Sequence, residues 1–300
     1  LMVLDDDEIE HPPVECVFTT EEEVGLNGAK ALDKSVLKAR TMINMDSEDE
    51  GVATVSCAGG LRVQFTKEIK RTTVQGSLLT LKVEGLLGGH SGQDIDKERQ
   101  NADLLMARMI QRLLKETKGQ LVSFNGGTKD NAIPRECEAS LIYESDEEAA
   151  KAEELACELA ETYAEELTPA EPDFSCEISC ETNRTAEAIP QDAAKEFICA
   201  MRLAPNGIQK RNIKMDGFVV VSLNLGVVRT EEDRIVMIFS PRSSVASLQE
   251  DTKERLNTLA ETFGFTVSHS SEYPGWSFKE DSPVREICKE SYKELFGEDL

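Results

Sequence analysis

Along the first sixty residues, apolar and polar positions fall into short blocks of changing period. Residues 14 to 20 (VECVFTT) are apolar and β-rich, and they run into Glu21, Glu22 and Glu23 and a turn between Gly25 and Gly28. Residues 29 to 39 (AKALDKSVLKA) space their apolar side chains as a short amphipathic helix does. Residues 40 to 45 (RTMINM) return to a buried-strand pattern that stops at Asp46. This order predicts a strand, helix, strand unit of α/β type. Parallel pairing of its two strands would carry both carboxyl ends to one rim, where open α/β sheets bind ligands.

After residue 60 the pattern changes. The stretches LRVQF and SLLTLKVEGL predict strands, followed by a glycine-rich loop and a long helix over about 96 to 116. Strands at 120 to 124 and 136 to 143 flank the turn GGTKDNAIPRE, and 145 to 167 reads as an acidic amphipathic helix. A second round repeats the order. It has a strand near 174 to 181, a helix near 191 to 204, the strands GFVVVSLNLGVVRT and DRIVMIFSPR, a helix over 244 to 263 and a strand near 265 to 270. Two such rounds predict an α+β domain, a mostly antiparallel sheet covered by helices. YPGW then marks a turn and SPVREICKESYKELF a last helix. The expected division is therefore 1–59 in a first, α/β domain, 60–272 as a large insertion, and 273–300 returning to the first.

Composition narrows the partners. Three hundred residues with 40% hydrophobic content are enough for one large or two medium domains, each with a real core. A formal charge of −24 repels phosphate backbones and anionic lipid, which speaks against nucleic acid and membrane surfaces and favours small molecules or cations. There is no run of 18 apolar residues and no basic start with an apolar signal core, so a soluble chain is expected. The eight cysteines include no CxxC pair and sit mostly in apolar runs, which points to reduced thiols and a cytoplasmic setting. Cys176 and Cys180 would share one face of a strand.

Candidate chemistry lies in two groups. Glu22, Glu23 and Asp46 could converge on the rim of the first sheet as metal-binding carboxylates. Equally, three glutamates before a helix serve as a solvated, dipole-matched N-terminus, and Asp46 serves as a turn residue in DSEDEG. That segment imitates a calcium loop but has Cys57 at the twelfth position where glutamate is needed. In the insertion, His90 lies in GLLGGHSGQD, where an imidazole can donate to a carbonyl that becomes an oxyanion, or be a surface histidine in a turn. Asn131 in DNAIP can hydrogen-bond a substrate amide or simply shape a turn. Arg242 in SPRSS can fork onto a carboxylate, or stand exposed in the first turn of a helix with Ser240 as cap and Pro241 after it.

Taken together and in order, FTTEEEVGLNGA, MINMDSEDEG, GLLGGHSGQDI, DNAIPRE, SPRSSVASL and YPGW resemble the dizinc metallopeptidase family of aminoacylases, carboxypeptidases and dipeptidases. The resemblance runs over essentially the whole chain. It implies an α/β zinc-peptidase domain, present in part, interrupted by a lid that also serves dimerisation. It implies hydrolysis of dipeptides, of Xaa-His type, by water activated on two zinc ions, with a homodimer formed through the lid. By position, Glu22 matches the general base, Glu23 a ligand of one zinc and Asp46 a ligand of the other. His90 matches the lid histidine that polarises the scissile carbonyl, and Asn131 and Arg242 match the residues that hold the substrate backbone and terminal carboxylate. The family's His-x-Asp segment, bridging Asp and final His have no counterpart, since His11, His90 and His269 are the only histidines. The chain therefore reads as an internal fragment, inactive alone. Tripeptide aminopeptidase, N-acyl amino acid hydrolase and a non-catalytic peptide-binding or dimerisation role are the alternatives.

Overall fold

A computed structural model describes residues 2–22, 26–46, 49–215 and 217–300. It forms two compact units, Leu1–Val55 with Lys279–Leu300, and Ser56–Phe278.

In the first unit the described regular elements are helical: α1 (Asn27–Ala31), α6 (Pro283–Phe296) and single 3-10 turns at Met2–Asp5 and Lys34–Val36. The helix expected over 29 to 39 stops early because the Asp33 side chain accepts the Ser35 N–H, a local bond that competes with helical pairing. The expected strands at 14–20 and 40–45 are irregular chain without a ladder. A strand needs a neighbour for its backbone groups, and none of the described residues pairs with either run. A side chain links these runs instead, with the Glu15 carboxylate accepting the N–H groups of Lys38 at 2.9 Å and Ala39 at 2.6 Å. The apolar side chains of these runs face solvent, with Phe18 81% and Met45 90% exposed.

Among its described residues the second unit holds eleven strands. They are β1 (Gly59–Glu68), β2 (Thr72–Glu84), β3 (Gly89–His90), β4 (Gln120–Gly126), β5 (Ala132–Ile133), β6 (Cys137–Tyr143), β7 (Ser175–Ala188), β8 (Gly207–Arg211), β9 (Val219–Thr230), β10 (Arg234–Ser243) and β11 (Thr266–Tyr273). Nine of them form one sheet in the order β11-β1-β10-β9-β4-β6-β2-β7, with β8 on β9, and every pair is antiparallel. β3 and β5 make a separate two-stranded ribbon. Helices α2 (Ala102–Glu116), α3 (Asp146–Leu167), α4 (Gln191–Leu203) and α5 (Ala246–Thr262) bury their apolar stripes against the sheet. Phe65, Leu79, Phe124, Leu141, Leu225 and Phe239 are among the strand residues in that core. α2 is capped by the Asn101 side chain, which accepts the N–H groups of Asp103 and Leu104, and α3 by Ser145.

Period two along the central strands decides the face. Leu223 and Leu225 of β9 enter the core, so Ser222 and Asn224 lie on the opposite side. That opposite side carries the candidate site. One local reading is overturned there: Ser240, Pro241 and Arg242 belong to β10, and the following helix begins at Ala246 after the cap position Val245. Arg242 pairs with Gly60 on one side and Ser222 on the other, and this two-sided ladder outweighs the local Ser-Pro helix-start signal. The helix expected from 96 also starts later. A 3-10 turn at Ile95–Lys97 is broken by Glu98 in the left-handed region (φ 52°), and α2 begins only after the Asn101 cap. Among the described residues no helix is long and apolar enough to cross a membrane.

Candidate functional site

The loop that carries His90 is tied down at both ends and in its middle. Glu171, only 1% exposed, accepts the N–H of Leu87 on one carboxylate oxygen (2.7 Å) and that of Gln100 on the other (2.9 Å). A single buried carboxylate thus clamps residues before and after the loop. Within it, Asp94 Oδ2 accepts the His90 N–H at 2.8 Å, while the Asp94 N–H donates to the His90 carbonyl at 2.9 Å. Lys97 pairs with Asp94, and together with the backbone donor this holds the Asp94 carboxyl below its ordinary range.

The His90 ring is oriented by backbone donors. Its Nδ1 accepts the N–H of Gln93 at 3.0 Å and of Gly92 at 3.2 Å. An acceptor nitrogen carries no proton, so the proton of the neutral ring is on Nε2. Burial and then the positive charge of Arg242 push the imidazole pKa down, with Asp94 opposing. His90 is therefore a neutral ring with its N–H on Nε2 at pH 7.

Asn131 lies beside this loop. Its carbonyl accepts the Ser91 N–H at 2.8 Å, and His90 pairs with Ala132 across the β3–β5 ribbon. From the sheet, Asn224 Nδ2 donates to the carbonyls of Ala132 at 2.8 Å and Asp130 at 3.3 Å. Arg242 rises from the same face, and its guanidinium donates to the Tyr273 hydroxyl at 3.0 Å. Gly92 separates the ring from the guanidinium: a Cβ there would stand 3.1 Å from His90 Cε1 and 3.4 Å from Arg242 Cζ. The structure thus brings His90 and Arg242 together, with the Asn131 backbone laced to the same loop. Three buried polar atoms around them, Ser91 Oγ, Asn224 Oδ1 and Arg242 Nε, have no partner among the described residues. Leaving such groups unsatisfied is costly, which is what a site awaiting a polar ligand looks like.

The acidic candidates lie in the other unit. Glu22 is exposed and its carbonyl accepts the Leu26 N–H at 3.0 Å, and Asp46 is exposed on irregular chain. Glu23 falls outside the described residues. Among the described residues no three His, Cys, Asp or Glu side chains come together to hold a metal ion. Zinc is held by three or four protein ligands, so the described carboxylates Glu22 and Asp46 do not by themselves make up a zinc site.

Sequence reasoning missed Glu171, Asn224, Gly92 and Tyr273. Each acts through a partner distant in the chain or through the absence of a side chain, and local pattern holds no signal of either. Only the YPGW string, which begins at Tyr273, stood out. Of the other histidines, His269 bonds Asn257 at 3.0 Å on the edge strand β11, and His11 bonds the Pro12 carbonyl.

Comparison with known proteins adds the following. Residues 81–172 match the family model described as a peptidase dimerisation domain, of the M20 type. Over 303 aligned residues the chain is 32% identical to the cytosol non-specific dipeptidase of Escherichia coli strain K12, covering 99% of the chain and 61% of that protein. The crystal structure of aminoacylhistidine dipeptidase from Vibrio alginolyticus superposes with a TM-score of 0.92 at 33% identity, over 99% of the chain and 61% of that structure. The chain spans about three fifths of the length of both relatives.

Proposed function

We propose that the chain is the substrate-recognising part of a dipeptide hydrolase of the M20 peptidase type, a reading supported by the matches over the stretch it spans. The observation that carries this reading is the His90 ring. Two backbone donors leave it neutral with Nε2–H free, and a guanidinium stands on the other side of Gly92. A dipeptide presents the matching pair of groups, a peptide carbonyl that gains negative charge when attacked and a terminal carboxylate a short distance away. His90 Nε2–H donates to the carbonyl oxygen and stabilises the charge as it develops. Arg242 binds the carboxylate through its remaining donors. Asn131, on the adjoining turn, bonds the substrate backbone.

The finer features rest on the resemblance. Xaa-His dipeptides as preferred substrates, zinc as the metal, Glu22 as the base with Glu23 and Asp46 as metal ligands, a cytoplasmic setting, and a homodimer formed through the lid all belong to this proposal. So does the division into 1–59, a lid over 60–272, and 273–300.

The test is release of histidine from Ala-His by the full-length protein, after chelation and re-addition of zinc, compared with its His90→Ala variant. We expect turnover to vanish on chelation, return with zinc, and fall about 10² to 10³ in kcat in the variant. A folded, metal-loaded protein that leaves Ala-His intact sinks the dipeptidase reading. A His90→Ala variant with unchanged kcat sinks the assignment of the ring.

A further inference from the structure

In the sheet, Gly60 of β1 stands between Arg242 of β10 and Tyr273 of β11 on one cross-strand row. Paired residues on such a row present their side chains to one face, and two strand spacings, about 10 Å, separate the outer backbones. A side chain on the middle strand would occupy the gap. At Gly60 even a Cβ would stand 2.8 Å from the Tyr273 hydroxyl oxygen. With only hydrogen there, the Arg242 guanidinium and the Tyr273 phenol reach over the middle strand and bond at 3.0 Å. Imidazole, guanidinium and phenol thus follow one another, with Gly92 and Gly60 opening the spaces between them.

The direction of that bond has a consequence. A guanidinium has donors only, so the phenol oxygen accepts, and the phenol hydrogen is turned to another direction. Among the described residues this hydrogen meets no acceptor, and Arg242 Nε beside it is buried without a partner. A positive donor against the phenol oxygen also polarises the O–H and makes it a better donor. Two adjoining groups with unused donors and one positive charge call for an anion that only accepts, which describes a carboxylate.

We propose that Tyr273 is a substrate-binding residue: its O–H donates to the terminal carboxylate of the peptide beside Arg242, and it sets the preference for substrates with a free C-terminus. This rests on the reading of Arg242 given above. Gly60 is the structural condition for the pair.

In the full-length protein, Tyr273→Phe keeps the ring and removes only the hydroxyl. We expect KM for a dipeptide with a free carboxylate to rise about tenfold or more with kcat within twofold, as for loss of a hydrogen bond to a charged group. KM for the same dipeptide as its C-terminal amide should not change. Gly60→Ala, whose added Cβ meets the Tyr273 phenol first, should reproduce the free-carboxylate effect. The Phe change is repeated in an Arg242→Ala background. A further rise in KM there supports direct donation by the phenol, whereas no further rise means Tyr273 acts only by bracing Arg242 and overturns the proposal. Equal effects on acid and amide substrates also overturn it. Arg242→Ala with an unchanged KM overturns the reading of Arg242 instead, and that result comes from a separate protein.

Discussion

At Asp103 a carboxyl group is enclosed completely, and this is where a single residue sets a pH dependence. It is 0% exposed, neither oxygen has an oxygen or nitrogen partner among the described residues, and the Cys137 thiol lies beside it. Burial pushes its pKa up to about 8. In the unfolded chain the same carboxyl titrates near about 4. Between these values the folded state holds a proton that the unfolded state has released. The stabilising contribution is therefore fully present below about pH 4 and is lost as pH rises through about 8. Asp103→Asn removes the titration. We expect the urea midpoint of the variant relative to the parent protein to be higher at pH 8 than at pH 5, with a limiting slope of about 1.4 kcal/mol per pH unit. A difference that does not vary with pH would mean that Asp103 is ionised in the folded state.

Among the elements, the His90 loop is held before and after by Glu171. The carboxylate bridges Leu87 and Gln100, so one side chain fixes where the loop leaves β2 and where the chain turns into α2. Glu171→Ala leaves two backbone N–H groups without their acceptor, at a cost of about 1 to 3 kcal/mol each if they stay dry. We expect hydrogen exchange at Leu87 and Gln100 to accelerate while the amides of β9 and β10 stay protected. Uniform acceleration across the sheet would show that Glu171 supports the whole unit and not this loop. At the other end of the sheet Arg71 plays a comparable part. Its guanidinium donates to the carbonyls of Val122, Glu187, Glu231 and Glu232, joining β4, β7 and the β9–β10 turn.

For the molecule as a whole, the second unit, Ser56–Phe278, contains the nine-stranded sheet, four helices and the main buried core. A unit with its own core is expected to fold by itself. Residues 56–278 expressed alone should give one cooperative thermal transition and, on the homodimer proposal, should sediment at twice their monomer mass, residues 81–172 being those that match a peptidase dimerisation model. A monomer that unfolds cooperatively would keep the fold and remove the dimer proposal. A non-cooperative transition would show that the core needs the first unit.

The sequence by itself determined the second unit closely. The long helices at Asp146–Leu167, Gln191–Leu203 and Ala246–Thr262 and the strands around them follow from apolar periods of 3.6 and 2, and the pattern carries its own evidence because each element buries one side. It also placed Cys176 and Cys180 on one strand, both packing on the core. His90, Asn131 and Arg242 could be nominated because their residue types and local strings are distinctive. Tertiary structure alone decided the rest. Apolar runs at 14–20 and 40–45 look like strands, yet a strand exists only with a partner, and a partner is not a local property. Arg242 sits where a helix start is written locally, but pairing with Gly60 and Ser222 on both sides keeps it in the sheet. The clamp of Glu171 and the meeting of Arg242 with Tyr273 depend on which distant atoms lie within about 3 Å, and only the folded chain fixes that.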